Sequence, residues 1–342
     1  MLSRAGLRLK ARALHTFASS RLMRQRCTMA FLPKLVFLAL AANFAYAEPS
    51  CTDTRGFRFR RYVCKDFRRQ EDFQKYVVRG DAQQETWFQL RDSHLERLPA
   101  RAFAELNMVK LTLHNVTVTT FAESGPDTNP FSGVEDTLRK VVFHDESTLP
   151  ASWVLLSGLK KLEEVCVDEY KHLNLTRDFN HLPHGVKTLY VTKSTVHHVD
   201  PDWVSSLTNL EALVFKRTTL KTFARSWLPR PAPRFTLLDL PDNHLTTFPE
   251  GLGDELPRLS VVNVERNHLT TLEERDLGPL HRNQVFVSLT GNPMHCDCKL
   301  WFLFGYTHRW HYFKCSTPEA LHDRYFMRLT EEGSPCTNAT SV

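Results

Sequence analysis

An α/β solenoid, with short coils stacked around a parallel β-sheet of about nine strands and closed by disulfides at both ends, is the fold this 342-residue sequence predicts. An apolar register of the form L-x-x-L-x-L-x-x-N-x-L recurs nine times between Glu85 and Met294. Its second apolar position falls at Phe88, Leu111, Val141, Val165, Leu189, Leu213, Leu238, Val262 and Val287. The steps are 23, 30, 24, 24, 24, 25, 24 and 25 residues, a period that belongs to stacked repeats. Another apolar residue follows two positions later (Leu90, Leu113, Phe143, Val167, Val191, Phe215, Leu240, Val264, Leu289), so each coil carries a short strand with one buried edge. A coil of this size cannot cover that edge alone. Neighbours with strands about 4.8 Å apart join the edges into one core. Cysteines gather at the two ends of the array, where an open stack needs lids.

The clearest copies are Phe235–Phe248 (FTLLDLPDNHLTTF) and Leu259–Leu272 (LSVVNVERNHLTTL), with Leu210–Phe223 (LEALVFKRTTLKTF) close behind. Here the chain resembles the extracellular leucine-rich repeat family. The resemblance implies a horseshoe whose concave face is the sheet, and an Asn that bonds to backbone in the turn after each strand. Asn243, Asn267 and Asn292 keep that residue; Ser93, Val116, Glu146, Tyr170, Ser194 and Thr218 replace it earlier, which predicts less regular turns there. The 30-residue step holds an insertion between Phe121 and Leu138. Its Gly125-Pro126, Asn129-Pro130 and Ser132-Gly133 dipeptides predict a loop bulging from the convex side or flank.

After the last repeat, Asn292 and Pro293 lead into Cys296, Cys298, Cys315 and Cys336. Spacing alone allows three disulfide connectivities, and four thiolates with His295 are the composition of a zinc site, although C-x-C is tighter than the usual C-x2-C knuckle. The pattern is similar to the cysteine-rich C-terminal flank of secreted leucine-rich repeat proteins, and that similarity implies the pairs Cys296–Cys315 and Cys298–Cys336. At the other end, Cys51 and Cys64 bracket alternating Phe57, Arg58, Phe59 and Arg60, which reads as a strand or hairpin laid over the first repeat and closed by its own disulfide. Cys166, between Val165 and Val167, is the odd thiol, either partly shielded or paired with another chain.

Met29–Ala47 has the lysine, apolar run and Ala45-Tyr46-Ala47 of a secretion signal. Its apolar run is too short to span a bilayer. Residues 1–28 are either an upstream start or a mitochondrial-type presequence. The expected organisation is an extension (1–28), a signal peptide (29–47), an N-terminal cap (48–84), repeats (85–291), and a C-terminal cysteine-rich cap and tail (292–342). Eight of the 44 Lys and Arg and none of the 38 Asp and Glu precede Glu48, so the remainder carries 36 basic against 38 acidic residues, a formal charge of −2. Nucleic acid therefore loses its main support as a partner. The sequons at Asn115, Asn174 and Asn338 predict N-glycosylation on a secretory route. With only Thr337–Val342 after Cys336, a secreted extracellular chain with no membrane span is expected.

Strand residues flanking the buried pair form columns on the inner face of the arc. Tyr190, Val214, Leu237, Val261 and Phe286 present apolar side chains beside Lys216, Arg217, Asp239, Asp242 and Arg266, the composition of a protein-binding patch. Phe286 and Val261 alternatively pack under the C-terminal cap. His114 and His144 with Asp145, Asp168 and Glu169 can bind a divalent cation or move protons, but such clusters are more often solvated faces. Arg55, Arg58, Arg60, Arg61, Arg68 and Arg69, with Lys65, form a basic patch opposed within that stretch by Asp66 alone; it is either polar cover for the cap or a site for sulfated glycan or an anionic surface. No nucleophile elbow, H-E-x-x-H, Walker or dinucleotide motif is present, so neither enzymatic activity, a cofactor nor a bound metal is expected. The expected partner is another extracellular protein. The alternative is a secreted enzyme that this chain stabilises as a non-catalytic accessory subunit.

Overall fold

A computed structural model describes residues 47–79, 84–121, 128–329 and 336. The strands are β1 (Ser50–Arg55), β2 (Phe59–Lys65), β3 (Glu85–Arg97), β4 (Met108–Thr120), β5 (Lys140–His144), β6 (Glu164–Asp168), β7 (Leu173–Leu175), β8 (Thr188–Thr192), β9 (Val196–Val199), β10 (Ala212–Lys216), β11 (Leu237–Asp239), β12 (Val261–Asn263), β13 (Phe286–Ser288), β14 (Met294–His295) and β15 (Cys315–Thr317). Eleven of them form one open sheet, β1-β2-β3-β4-β5-β6-β8-β10-β11-β12-β13, parallel throughout except for the β1–β2 hairpin. The nine repeat strands stand at the positions the apolar register predicts. Phe88, Leu111, Val141, Val165, Leu189, Leu213, Leu238, Val262 and Val287 are register partners in one unbroken row. The sheet exceeds nine strands because the N-terminal cap adds two: β2 continues the ladder beside β3, and Cys51 faces Cys64 across the hairpin, joined by a disulfide.

Regular helix is scarce. Among the described residues only α1 (Glu71–Tyr76) and α2 (Glu274–Arg282) are α-helical, while Trp153–Leu156, Arg177–His181 and Arg225–Trp227 are single 3₁₀ turns. A coil of about 24 residues that must make a strand and two reversals has little chain left for a longer helix. These turns deliver aromatic side chains to the core, where Phe143, Trp153, Phe179, Trp203, Phe215 and Trp227 meet ring to ring with centroids 4.5–6.3 Å apart. The inserted stretch does not simply bulge. Phe131 and Val134 are buried, Phe131 packs 5.8 Å from Phe103, and the Asn129 side chain ties the loop to Leu155 O and Phe131 N; residues 122–127 lie outside the described residues.

A polar spine runs beside this core. Asn267 donates to the carbonyls of Leu240, Val264 and Glu265 and accepts from Leu245 N; Asn243 and Asn292 repeat the arrangement one coil to either side. In the earlier coils serine takes over. Ser93 Oγ donates to Arg91 O and accepts from Phe67 N, Ser147 Oγ donates to His144 O and accepts from Val116 N, and Ser194 Oγ donates to Thr192 O and accepts from Tyr170 N. The spine residue of the third coil is thus Ser147, not Glu146, displaced by one position because Asp145 and Glu146 are both left-handed, so this turn is less regular than the others. The amides of Val116 and Tyr170, which stand where the template has asparagine, are served by the next coil's serine, and the Tyr170 hydroxyl donates to Ser147 O.

The C-terminal lid has the pairs Cys296–Cys315 and Cys298–Cys336. Trp310 seals it against the last coil, fully buried and donating to Val285 O at 3.2 Å.

Candidate binding surface

Each repeat turns at a residue of positive φ, which lies within β3 and β4 in the first two coils and just beyond the strand in the others. The series is Asp92, Asn115, Asp145, Glu169, Lys193, Arg217, Asp242, Arg266 and Gly291, with φ between 46° and 77°. This left-handed region costs an L-residue about 1 kcal/mol, and Asp, Asn and Gly tolerate it best. Glycine closes the series for a steric reason as well, since a Cβ on Gly291 would lie 2.8 Å from Arg266 Cγ. The common backbone aims all of these side chains along one border of the open face, where neighbours pair across coils. Asn115 donates to Asp92 at 2.9 Å, and Lys193 meets Glu169 at 2.7 Å. Arg266 forks onto both oxygens of Asp242, with Arg217 Nε 4.0 Å away. These hydrogen bonds hold the Asp242 carboxyl below, and the Arg266 guanidinium above, their ordinary ranges.

The proposed patch falls inside that border. Tyr190, Leu237 and Val261 are half-buried on the open face, and Phe286 is 36% exposed at its C-terminal end, so the lid does not cover it. Val214 departs from the expectation: at 8% exposure it is buried, lying in register between the larger Tyr190 and the half-buried Asp239. Lys216 and Arg217 are exposed. Asp239 accepts from Asn263 at 2.8 Å, and burial raises its carboxyl above the usual range. Lys140 reaches over the Tyr190 ring at 5.1 Å while paired to Glu164, so the patch continues onto the next strands. Cys166, the register partner of Tyr190, is a free and partly covered thiol; burial pushes it up to about 11.

The basic cap is weaker as an anion site than its composition suggests. Arg60 is buried, stacked over Tyr62 and paired with Asp53 at 3.0 Å, so it is structural. Arg55, Arg58, Arg61, Arg68 and Arg69 are exposed, but Arg55 also meets Asp53, and the backbone amides of Arg68 and Arg69 donate to Asp72. Beside them lies an apolar feature that only spatial pairing reveals: Phe59 stacks on Trp87 with centroids 4.0 Å apart, both over a third exposed, below a fully exposed Phe57. Asn115 and Asn174 are exposed; Asn338 lies outside the described residues.

No family model matches the chain. Short stretches are similar to "Leucine-rich repeat and fibronectin type III domain-containing protein 1": 40% identity over 65 residues to the Homo sapiens protein, covering 19% of this chain and 8% of that one. The Rattus norvegicus protein is 42% identical over 59 residues and the Danio rerio protein 39% over 54, covering 17% and 16% of this chain and 8% and 9% of those proteins. The coils are leucine-rich repeats. The chain spans under a tenth of these relatives' length. Among the described residues no helix is long and apolar enough to cross a membrane.

Proposed function

We propose that this chain is a secreted, glycosylated binding protein that presents the open face of its sheet to another extracellular protein and catalyses nothing itself. The observation that carries this reading is the row Leu237, Val261 and Phe286, accessible apolar side chains in register on three adjoining strands, with Tyr190 on the same face two strands before and Lys216, Arg217, Asp242 and Arg266 around them. Apolar anchors ringed by charge recur where proteins bind proteins, and a backbone already fixed limits the entropy lost on docking. The signal-like Met29–Ala47, three disulfides and the sequons Asn115, Asn174 and Asn338 support an extracellular destination.

Cross-linking of the secreted chain in its native fluid identifies the partner. Tyr190→Ala combined with Leu237→Asp is then expected to weaken that partner's binding at least about thirtyfold, two anchors at more than 1 kcal/mol each. Binding equal to the parent's by calorimetry removes the reading. A partner recovered at fixed stoichiometry whose enzymatic half-life depends on this chain identifies the accessory-subunit alternative. Sulfated glycan remains a second ligand class because five arginines of the cap are exposed, and salt-sensitive retention on heparin lost in Arg58→Ala/Arg61→Ala tests it.

A further inference from the structure

Towards the N-terminus, the open face carries a cluster that the binding patch does not use. His144 ends β5 opposite Asp168 at the end of β6, and the left-handed residue Glu169 follows immediately. One donor atom from each of these three side chains lies within 4.8 Å of the others. His144 Nδ1 is 2.8 Å from Asp168 Oδ2, and Nε2 is 3.6 Å from Glu169 Oε2. Nδ1 is sealed from solvent yet makes no aligned hydrogen bond, so two lone-pair atoms are crowded side by side where a shared proton or a cation belongs. The second oxygen of Asp168 accepts from the Thr192 hydroxyl, which fixes the carboxylate's orientation as outer partners of metal ligands do. On the other side of His144, the His114 ring packs at a centroid distance of 4.5 Å and limits how far the imidazole can turn. Lys193 Nζ approaches both carboxylates, 2.7 Å from Glu169 and 3.8 Å from Asp168, so a positive charge already occupies the mouth of the cluster.

We infer that His144, Asp168 and Glu169 bind a zinc ion, with Lys193 holding the two carboxylates when the ion is absent. One imidazole nitrogen with two carboxylate oxygens suits zinc, which takes such donors at about 2.0–2.2 Å. Tetrahedral ligands at that radius stand about 3.4 Å apart, so closure from the present spacing needs only side-chain rotation. The imidazole argues against calcium and magnesium, which prefer all-oxygen shells. Three protein ligands leave the fourth position open towards solvent on the sheet face. The absence of metal ligation expected from sequence is replaced by this assignment, which stands independently of the protein-binding reading.

The test is calorimetric titration of zinc chloride into the full secreted chain, free of tags with histidines. His144→Ala, Asp168→Asn and Glu169→Gln are each expected to remove one equivalent or weaken it at least about tenfold. Lys193→Ala, which removes the competing cation, is expected to tighten it. His197→Ala, in the separate stacked pair of His172 and His197 on the flank, leaves that equivalent unchanged. Glu169 lies on an exposed turn, so Glu169→Gln keeps the fold, as a melting curve recorded without zinc verifies. Parental zinc stoichiometry and affinity in folded Glu169→Gln overturn the assignment, as does loss of the same equivalent in His197→Ala.

Discussion

The two halves of the stack solve one problem with different side chains. Every coil must satisfy backbone groups turned inward after its strand, and an unsatisfied buried group costs about 1–3 kcal/mol. In the C-terminal half Asn243, Asn267 and Asn292 each serve carbonyls from two coils and one amide. In the N-terminal half Ser93, Ser147 and Ser194 each serve one carbonyl and one amide. A hydroxyl has one proton to give and an amide has two. The difference teaches that the spine requires a short polar side chain able both to donate and to accept, and that asparagine adds a second link to the preceding coil by donating to its carbonyl.

The largest effect expected from breaking this comparison is Asn267→Ala, which leaves the Leu245 amide without its partner and takes one hydrogen bond each from the carbonyls of Leu240, Val264 and Glu265, and should destabilise the chain by about 3–4 kcal/mol in urea unfolding. Ser194→Ala leaves the Tyr170 amide without its partner and takes one of two hydrogen bonds from the Thr192 carbonyl, and should cost about 1–2 kcal/mol. Asn267→Ser sharpens the point, with a loss expected between those two. Equal losses for Asn267→Ala and Ser194→Ala would show that the extra amide proton contributes nothing.

The lids provide a second contrast. Only the C-terminal one holds a buried histidine among the described residues: His311, 1% exposed, with Nε2 2.7 Å from Leu303 O, kept neutral because burial lowers its basicity. Its folded pKa lies below the unfolded value of about 6.5, so protonation favours the unfolded chain. The stability gained from the neutral ring is complete above about pH 6.5 and declines as pH falls through that value towards the folded one. Hydrogen-exchange protection factors around Phe313 should therefore fall on acidification while those around Tyr62 in the N-terminal lid do not; matching profiles would remove the role given to His311.

The smallest effect belongs to the border turns. Arg217→Gly removes a side chain from a left-handed site at the cost of an exposed 4.0 Å ion pair, and should raise stability by up to about 1 kcal/mol. The same change in Asp92, a residue type that accepts this conformation, should gain less.

Periodicity located all nine repeat strands to the residue, because burial of alternate side chains is enforced at every coil. The serine spine was hidden: Ser147 sits one position beyond the place its template assigns, and only the hydrogen bonds reveal that it does asparagine's work. Val214 read as surface because a column records direction but not the size of its neighbours. Arg60 read as a surface charge because sequence order sets it among exposed arginines, while the hairpin turns it against Tyr62 and Asp53. The half-exposed positions of Leu237, Val261 and Phe286 were legible as one column and that of Tyr190 in the column beside it, whereas the pairing of Phe59 with Trp87 across 28 residues had no local signal.

Cys166 carries a consequence for maturation. With its proton held up to about pH 11, roughly one thiol in ten thousand is ionised at neutrality. Thiolate is the species that attacks sulfur–sulfur bonds, so Cys166, the one unpaired cysteine among the described residues, is a poor agent of reshuffling. An oxidative folding pathway can close both lids correctly while an odd sulfur rides along, chemically silent, in the middle of the sheet.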